Sequence, residues 1–134
     1  MNRQFILSVI VLFVVTMLLG DVVHVILLKE EYSRIPNVMR PASEVQSLFP
    51  MLVLGYLLVS IGLTWIYRMG KSENDEWMAQ GVRFGLAIAI VATIPSFMIA
   101  YVVEQIPESL AIKQIAYETA STILVGMVTA FMNR

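Results

Sequence analysis

The sequence predicts an all-α integral membrane protein: a four-transmembrane-helix bundle forming a single membrane domain over residues 1–134. Three observations predict it. The chain is 58% hydrophobic and only 14% charged, whereas a soluble domain carries about a quarter charged residues. Its charges gather in short gaps between long apolar stretches. Four of those stretches, Phe5–Leu28, Met51–Met69, Phe84–Val103 and Leu110–Phe131, fall within the roughly 17–25 residues that carry a helix across hydrocarbon about 30 Å thick. In lipid every backbone group needs a partner inside the protein, so the segments must be helices. Strand alternation is absent, and a barrel would need many more segments.

The first segment follows Arg3, as a secretory signal would. No small-x-small cleavage site comes after it, and apolar residues continue to Leu28, so it reads as a retained helix. The connection over 29–50, KEEYSRIPNVMRPASEVQSLFP, holds three prolines. Within it Ser43 and Gln46 have capping-box spacing, and Val45, Leu48 and Phe49 give one apolar face. This predicts a short amphipathic helix along the membrane surface between helices one and two. In the 70–83 connection, Ser72-Glu73-Asn74-Asp75 forms an N-cap signature, and Trp77 suits the interface. Pro107, Glu108 and Ser109 can open the fourth helix, so helices three and four form a tight antiparallel hairpin.

Composition also excludes. The net charge of −1 and the lack of any Lys/Arg-rich run argue against nucleic acid as a partner. Without cysteine there is no disulfide, thiolate metal site, iron–sulfur ligation or thiol catalysis. Phosphate-cradling and hydrolase motifs are missing. The nine methionines are apolar filler. Membrane lipid is the partner that composition demands. Lys and Arg number five on one side (Arg3, Arg68, Lys71, Arg83, Arg134) and four on the other (Lys29, Arg34, Arg40, Lys113). That bias places both termini in the cytoplasm.

The polar residues inside the apolar segments are the candidates for function. An ionisable group within a membrane costs at least about 2.5 kcal/mol and normally faces protein or water. At about 1.5 Å per residue, Asp21 lies roughly 10 Å and His24 roughly 6 Å inside the non-cytoplasmic end of helix one. On the same scale Glu118 lies about 12 Å, Tyr56 about 8–9 Å and Ser96 about 10–12 Å below that surface. All four helices thus put a polar group in one layer. Asp21 and His24 are i,i+3 neighbours and should share a face. Gln114, Glu118, Ser121, Thr122, Val125 and Thr129 form a mostly polar stripe on helix four, bordered by Tyr117. Tyr56, Ser60, Thr64 and Tyr67 make another on helix two. Gly81, Gly85, Ala89, Ala92 and Ser96 form a small-residue stripe on helix three, suited to close approach. Pro95 removes a hydrogen bond there and frees a carbonyl near Val91. These features predict a pocket open to the non-cytoplasmic side, with Tyr101 and Glu104 at its rim.

Several chemistries suit such a layer. Asp21, His24 and Glu118 have the ligand types of a zinc, iron or manganese site, and equally those of a hydrogen-bonded network. A proton- or ligand-linked role fits because an unperturbed imidazole titrates near pH 6.5. Haem ligation by His24 with a methionine lacks a placed partner, and quinone binding has no specific motif. No cofactor is identified, and no reaction signature supports an enzyme. The expected site is therefore a ligand- or proton-binding set of Asp21, His24, Glu118, Tyr56, Ser96, Tyr117 and Gln114. The competing expectation is a non-catalytic accessory subunit whose polar stripes meet a membrane-complex partner or a second copy. Remaining features have plainer readings: Trp65 as an interface residue, Gly55 and Gly62 as helix contacts, Lys113 and Glu104 as solvated flanks, and Arg83 as a headgroup anchor or partner of a loop acid.

Two stretches, His24-Val-Ile-Leu-Leu-Lys-Glu-Glu-Tyr32 and Gly81-Val-Arg-Phe-Gly85, resemble a class of small, uncharacterised four-helix bacterial integral membrane proteins. There the first helix closes on His-Gly-x-Leu-Leu and an aromatic residue, and Gly-x-Arg-Phe-Gly opens the third. Val25 stands here where that pattern has glycine. The resemblance implies a bacterial inner membrane, with the polar mouth and the 29–50 segment periplasmic. It implies no activity.

Overall fold

The computed structural model describes residues 2–134. Among them the chain is helical throughout, with no strand: α1 (Arg3–Asp21), α2 (Lys29–Ser33), α3 (Ala42–Gly70), α4 (Trp77–Ile88), α5 (Ile94–Val103) and α6 (Glu108–Met132). Two π-helical turns interrupt the pattern, Val22–Leu27 after α1 and Ala89–Thr93 between α4 and α5. Four continuous helical units, Arg3–Leu27, Ala42–Gly70, Trp77–Val103 and Glu108–Met132, are long and apolar enough to cross a membrane. They are called the first to fourth spans below.

The bundle inverts the distribution of a soluble domain. Leu18, Ile26, Met51, Ile90, Val91 and Val102 stand exposed on the outside, while Ser8, Thr16, Ser60, Thr64 and Thr129 are buried. Each of these threonines and Ser60 returns its hydroxyl proton to the carbonyl four residues earlier, at 2.7–2.8 Å. A buried hydroxyl is thereby satisfied without another helix. The stripe Ser60, Thr64 and Tyr67 faces inward, as do Gln114, Ser121, Val125 and Thr129 of α6.

The third and fourth spans pack backbone to backbone. A Cβ on Gly81 would meet Met127 Cα at 2.7 Å, and one on Gly85 would meet Ile123 Cα at 2.6 Å. One on Gly126 would lie 2.6 Å from Gly85 N. Three glycines thus bring the helices together where dispersion and weak backbone contacts, rather than water exclusion, hold apolar helices. Gly126 escaped the sequence reading because it is an isolated glycine on α6. Gly55 and Gly62, expected as helix contacts, instead face open space.

Asn2 and Asn133 lie at one end of the bundle, tied by Arg68 Nη1 to Asn2 Oδ1 (3.0 Å), Asn133 Nδ2 to Ser8 Oγ (2.7 Å) and Lys71 Nζ to the Asn133 carbonyl (3.0 Å). Asn2 also caps α1 by accepting from Phe5 N at 2.9 Å. Arg83 pairs with Asp75 of the preceding loop at 2.7 Å. Helix α4 starts at Trp77 rather than Phe84, capped by Glu76, which accepts from Ala79 N. The 72–75 segment precedes that cap instead of providing it.

One element differs outright. The amphipathic helix expected around Ser43–Phe49 is not a separate element, because residues 42–50 are the beginning of α3, which runs 29 residues through Pro50. Pro41, not Ser43, stands at its N-cap. A proline in a helix removes one donor and crowds one carbonyl, and long apolar helices tolerate this when nearby groups adjust. At 1.5 Å per residue α3, with 29 residues, is about 43 Å long, so it overreaches a hydrocarbon core by about two and a half turns.

Candidate functional site

The site begins with the π turn that ends the first span. Leu28 N bonds the Val23 carbonyl, five residues back, at 2.9 Å. Val23 and Leu28 then bury against Leu110 of α6, with Ile106 and Tyr117 packed around them. This anchor turns the chain so that α2 lies across the start of α6. Glu31, buried at 6% exposure, takes a 2.5 Å ion pair from Lys113 Nζ and a long hydrogen bond from Ser109 (3.4 Å). The Lys113 contact is the main reason that the Glu31 carboxyl is held below its usual range, while burial opposes it. Lys113 is therefore a clamp on α2, not a solvated flank.

Closing α2 delivers Tyr32 to His24. Their rings stack with centroids 5.9 Å apart, and Tyr32 Oη lies 2.7 Å from His24 Nδ1. Gln114 Nε2 donates to the same Tyr32 oxygen at 3.1 Å. On the other side of the imidazole, Nε2 lies 2.7 Å from Glu118 Oε1. Hydrogen directions follow from counting protons. Because Gln114 donates to Tyr32, the phenol proton goes to Nδ1, and Nε2–H goes to the carboxylate. Burial pushes the Tyr32 phenol up, which keeps that proton in place. Gln114 Oε1 is buried without a protein partner. Turning the amide over makes Oε1 the acceptor for Tyr32, and Tyr32 then accepts from a protonated Nδ1. The same four side chains thus fit a neutral or a doubly protonated imidazole.

Glu118 faces a partly open cavity of about 360 Å³ lined by all four spans. Tyr56 and Ser96 line it as well, with Thr93, Ser121 and Thr122. Gly20 lets the Tyr56 side chain lie against the first span, since a Cβ there would collide with the hydroxyl. The Ala89–Thr93 π turn sits one residue short of Pro95 and presents Ala92 and Thr93 to the cavity. It forms where Pro95 has no N–H to give.

Of the expected set, His24 and Glu118 are in contact, Gln114 joins them through Tyr32, and Tyr56 and Ser96 share the cavity with Glu118. Asp21 is not brought in. It is exposed and makes no side-chain hydrogen bond or ion pair among the described residues, because the π turn that follows it breaks the α-helical register with His24. Tyr117 packs on the Leu110 cluster, outside the cavity. Tyr101 and Glu104 do not line it either. Among the described residues no three His, Asp or Glu side chains converge as a metal-ligating group, so Asp21, His24 and Glu118 do not come together as the metal-ligand trio considered above. Both ring nitrogens of His24 are engaged, leaving neither free as an axial haem ligand. Tyr32, Thr16 and Thr93 were missed; only the aromatic residue eight positions after His24 carried a hint.

No family model, curated protein or solved structure matches this chain significantly.

Proposed function

We propose that this chain is a small multi-pass membrane protein that binds a small ligand in the cavity beside Glu118 and couples occupancy to a proton on the His24–Glu118 pair. The carrying observation is the hydrogen-bonded row Gln114–Tyr32–His24–Glu118, whose last member is a wall of the cavity. A cavity of this size sits at the lower end of small-molecule pockets, about 300–1,000 Å³. The bacterial inner membrane, cytoplasmic termini and a periplasmic α2 belong to this reading. They are supported by the Lys/Arg bias and by the resemblance of the His24–Tyr32 and Gly81–Gly85 stretches.

His24 is the only histidine, so one imidazole signal reports the site. Nuclear magnetic resonance in nanodiscs, with pH varied, tests the reading. The methyl groups of Val59, Leu63 and Val125, which line the cavity, are expected to shift with the same midpoint as the imidazole. Methyl signals indifferent to that titration would refute coupling.

A second reading is an accessory subunit or homo-oligomer. Gly55 and Gly62 favour it, because both face open space on a helix whose neighbours elsewhere use glycine for contact. The inward-facing polar stripes weigh against it.

A further inference from the structure

The cavity lining has one electrical sign. Glu118 is its only charged side chain. Of the six hydroxyls that line it, three give their protons to backbone carbonyls of their own spans, Thr16 to Leu12 (2.8 Å), Ser96 to Ala92 (2.6 Å) and Thr122 to Glu118 (2.7 Å), while those of Tyr56 and Ser121 are left to turn with the guest. With the Thr122 proton spent, Thr93 donates in the 2.9 Å contact between those two hydroxyls. These oxygens therefore offer lone pairs to a guest. Glu118 Oε2 has no protein partner among the described residues, since His24 holds Oε1. The remaining walls are apolar, with the Phe97 ring among them.

Such a lining disfavours most guests. An anion would meet a carboxylate and no cation. A bare inorganic cation would leave most of about 360 Å³ unfilled. A neutral apolar guest would desolvate Glu118 without replacing its lost water. From this complementarity, and resting on the reading of the cavity as a ligand site, we infer that the ligand is a small lipophilic cation: a protonated amine or ammonium carrying an aromatic or aliphatic body. Its head pairs with Glu118 Oε2, and its body fills the apolar space beside Phe97.

Competition with protons follows. The groups facing Glu118 are His24 of the first span and, behind it, Tyr32 of α2. Tyr56 of the second span lines the same cavity. The third span contributes uncharged Thr93 and Ser96, and Lys113 on the same helix as Glu118 is held by Glu31. A proton added to His24 or Glu118 reduces the negative charge that attracts the cation. Where the pair carries that added proton, cation binding expels it, and by linkage acid expels the cation.

Isothermal titration of the nanodisc-embedded protein with 3-phenylpropylammonium, 3-phenylpropan-1-ol and 4-phenylbutanoate tests this at pH 8 and pH 5. The ammonium is expected to bind about tenfold or more tighter than the alcohol at pH 8, the carboxylate not at all, and the preference to shrink at pH 5. Glu118→Gln should erase the preference for ammonium while alcohol binding persists. Ala92→Phe, which adds bulk to the cavity lining and leaves the Glu118 carboxylate in place, should block ammonium binding and serves if Glu118→Gln does not fold. Equal or tighter binding of the alcohol or the carboxylate overturns the cation assignment and leaves the cavity as a ligand site. Ammonium preference surviving either variant also overturns it. If none of the three binds to folded protein, the ligand-site reading itself fails.

Discussion

The imidazole Nε2 of His24 lies 2.7 Å from Glu118 Oε1, joining the first span to the fourth at the wall of the cavity. Neither side chain holds this geometry alone. Tyr32 fixes the far ring nitrogen, and α2 fixes Tyr32.

Tyr32→Phe removes the oxygen shared by Gln114 and His24 Nδ1. Leaving a buried amide and a ring nitrogen without partners costs about 1–3 kcal/mol, readable as a lower unfolding midpoint. The imidazole Nδ1 shift should also change, because Nδ1 loses the phenol proton it accepts while Glu118 still holds Nε2–H. An unaltered Nδ1 shift would mean that Tyr32 does not donate to it.

The α2 clamp predicts a pH dependence. Glu31 has a carboxyl pKa lowered below its ordinary 4.5, chiefly by Lys113. The unfolded chain binds that proton more readily than the folded one, so the ion pair stabilises above pH 4.5 and its contribution fades as pH falls through the lower, folded value. Melting temperatures recorded from pH 7 downward should drop in this window for the wild type. Glu31→Gln should start lower at pH 7 and lose less on acidification. Parallel curves would contradict the assignment.

Gly126→Leu should be among the most damaging substitutions in the chain, since its side chain would enter the Gly81 and Gly85 backbones. Overpacking costs about 1–3 kcal/mol where side chains can yield, and backbone yields less. Gly55→Leu, with nothing within 4 Å, should leave monomer stability nearly unchanged. Chemical unfolding in detergent compares the two. A change in oligomeric state for Gly55→Leu would instead favour the subunit reading.

Gly20→Ala places a Cβ where the Tyr56 hydroxyl sits. The obstacle is the far end of a side chain, so the ring swings away at a cost of about 1 kcal/mol or less. The consequence is expected at the cavity, as an altered affinity for 3-phenylpropylammonium with a nearly unchanged melting temperature. An unchanged affinity would show that Tyr56 takes no part in binding.

The sequence by itself determined the four apolar helices, because segment length and the lack of charge are set by composition along one strand of chain. Residue counting along each helix also put Tyr56, Ser96 and Glu118 at one level, and the three line one cavity. What only the tertiary structure decided is rotation and closure. The π turn after Asp21 directs His24 inward and leaves Asp21 outside, and no residue count foretells an extra residue in a turn. Pro50 reads as a break in sequence, yet α3 runs through it, because helix continuity depends on what surrounds the freed carbonyl. Tyr32 reaches His24 only because Lys113, far along the chain, holds Glu31. Contacts of that kind arise when separate helices pack, and a one-dimensional pattern carries no distance between them.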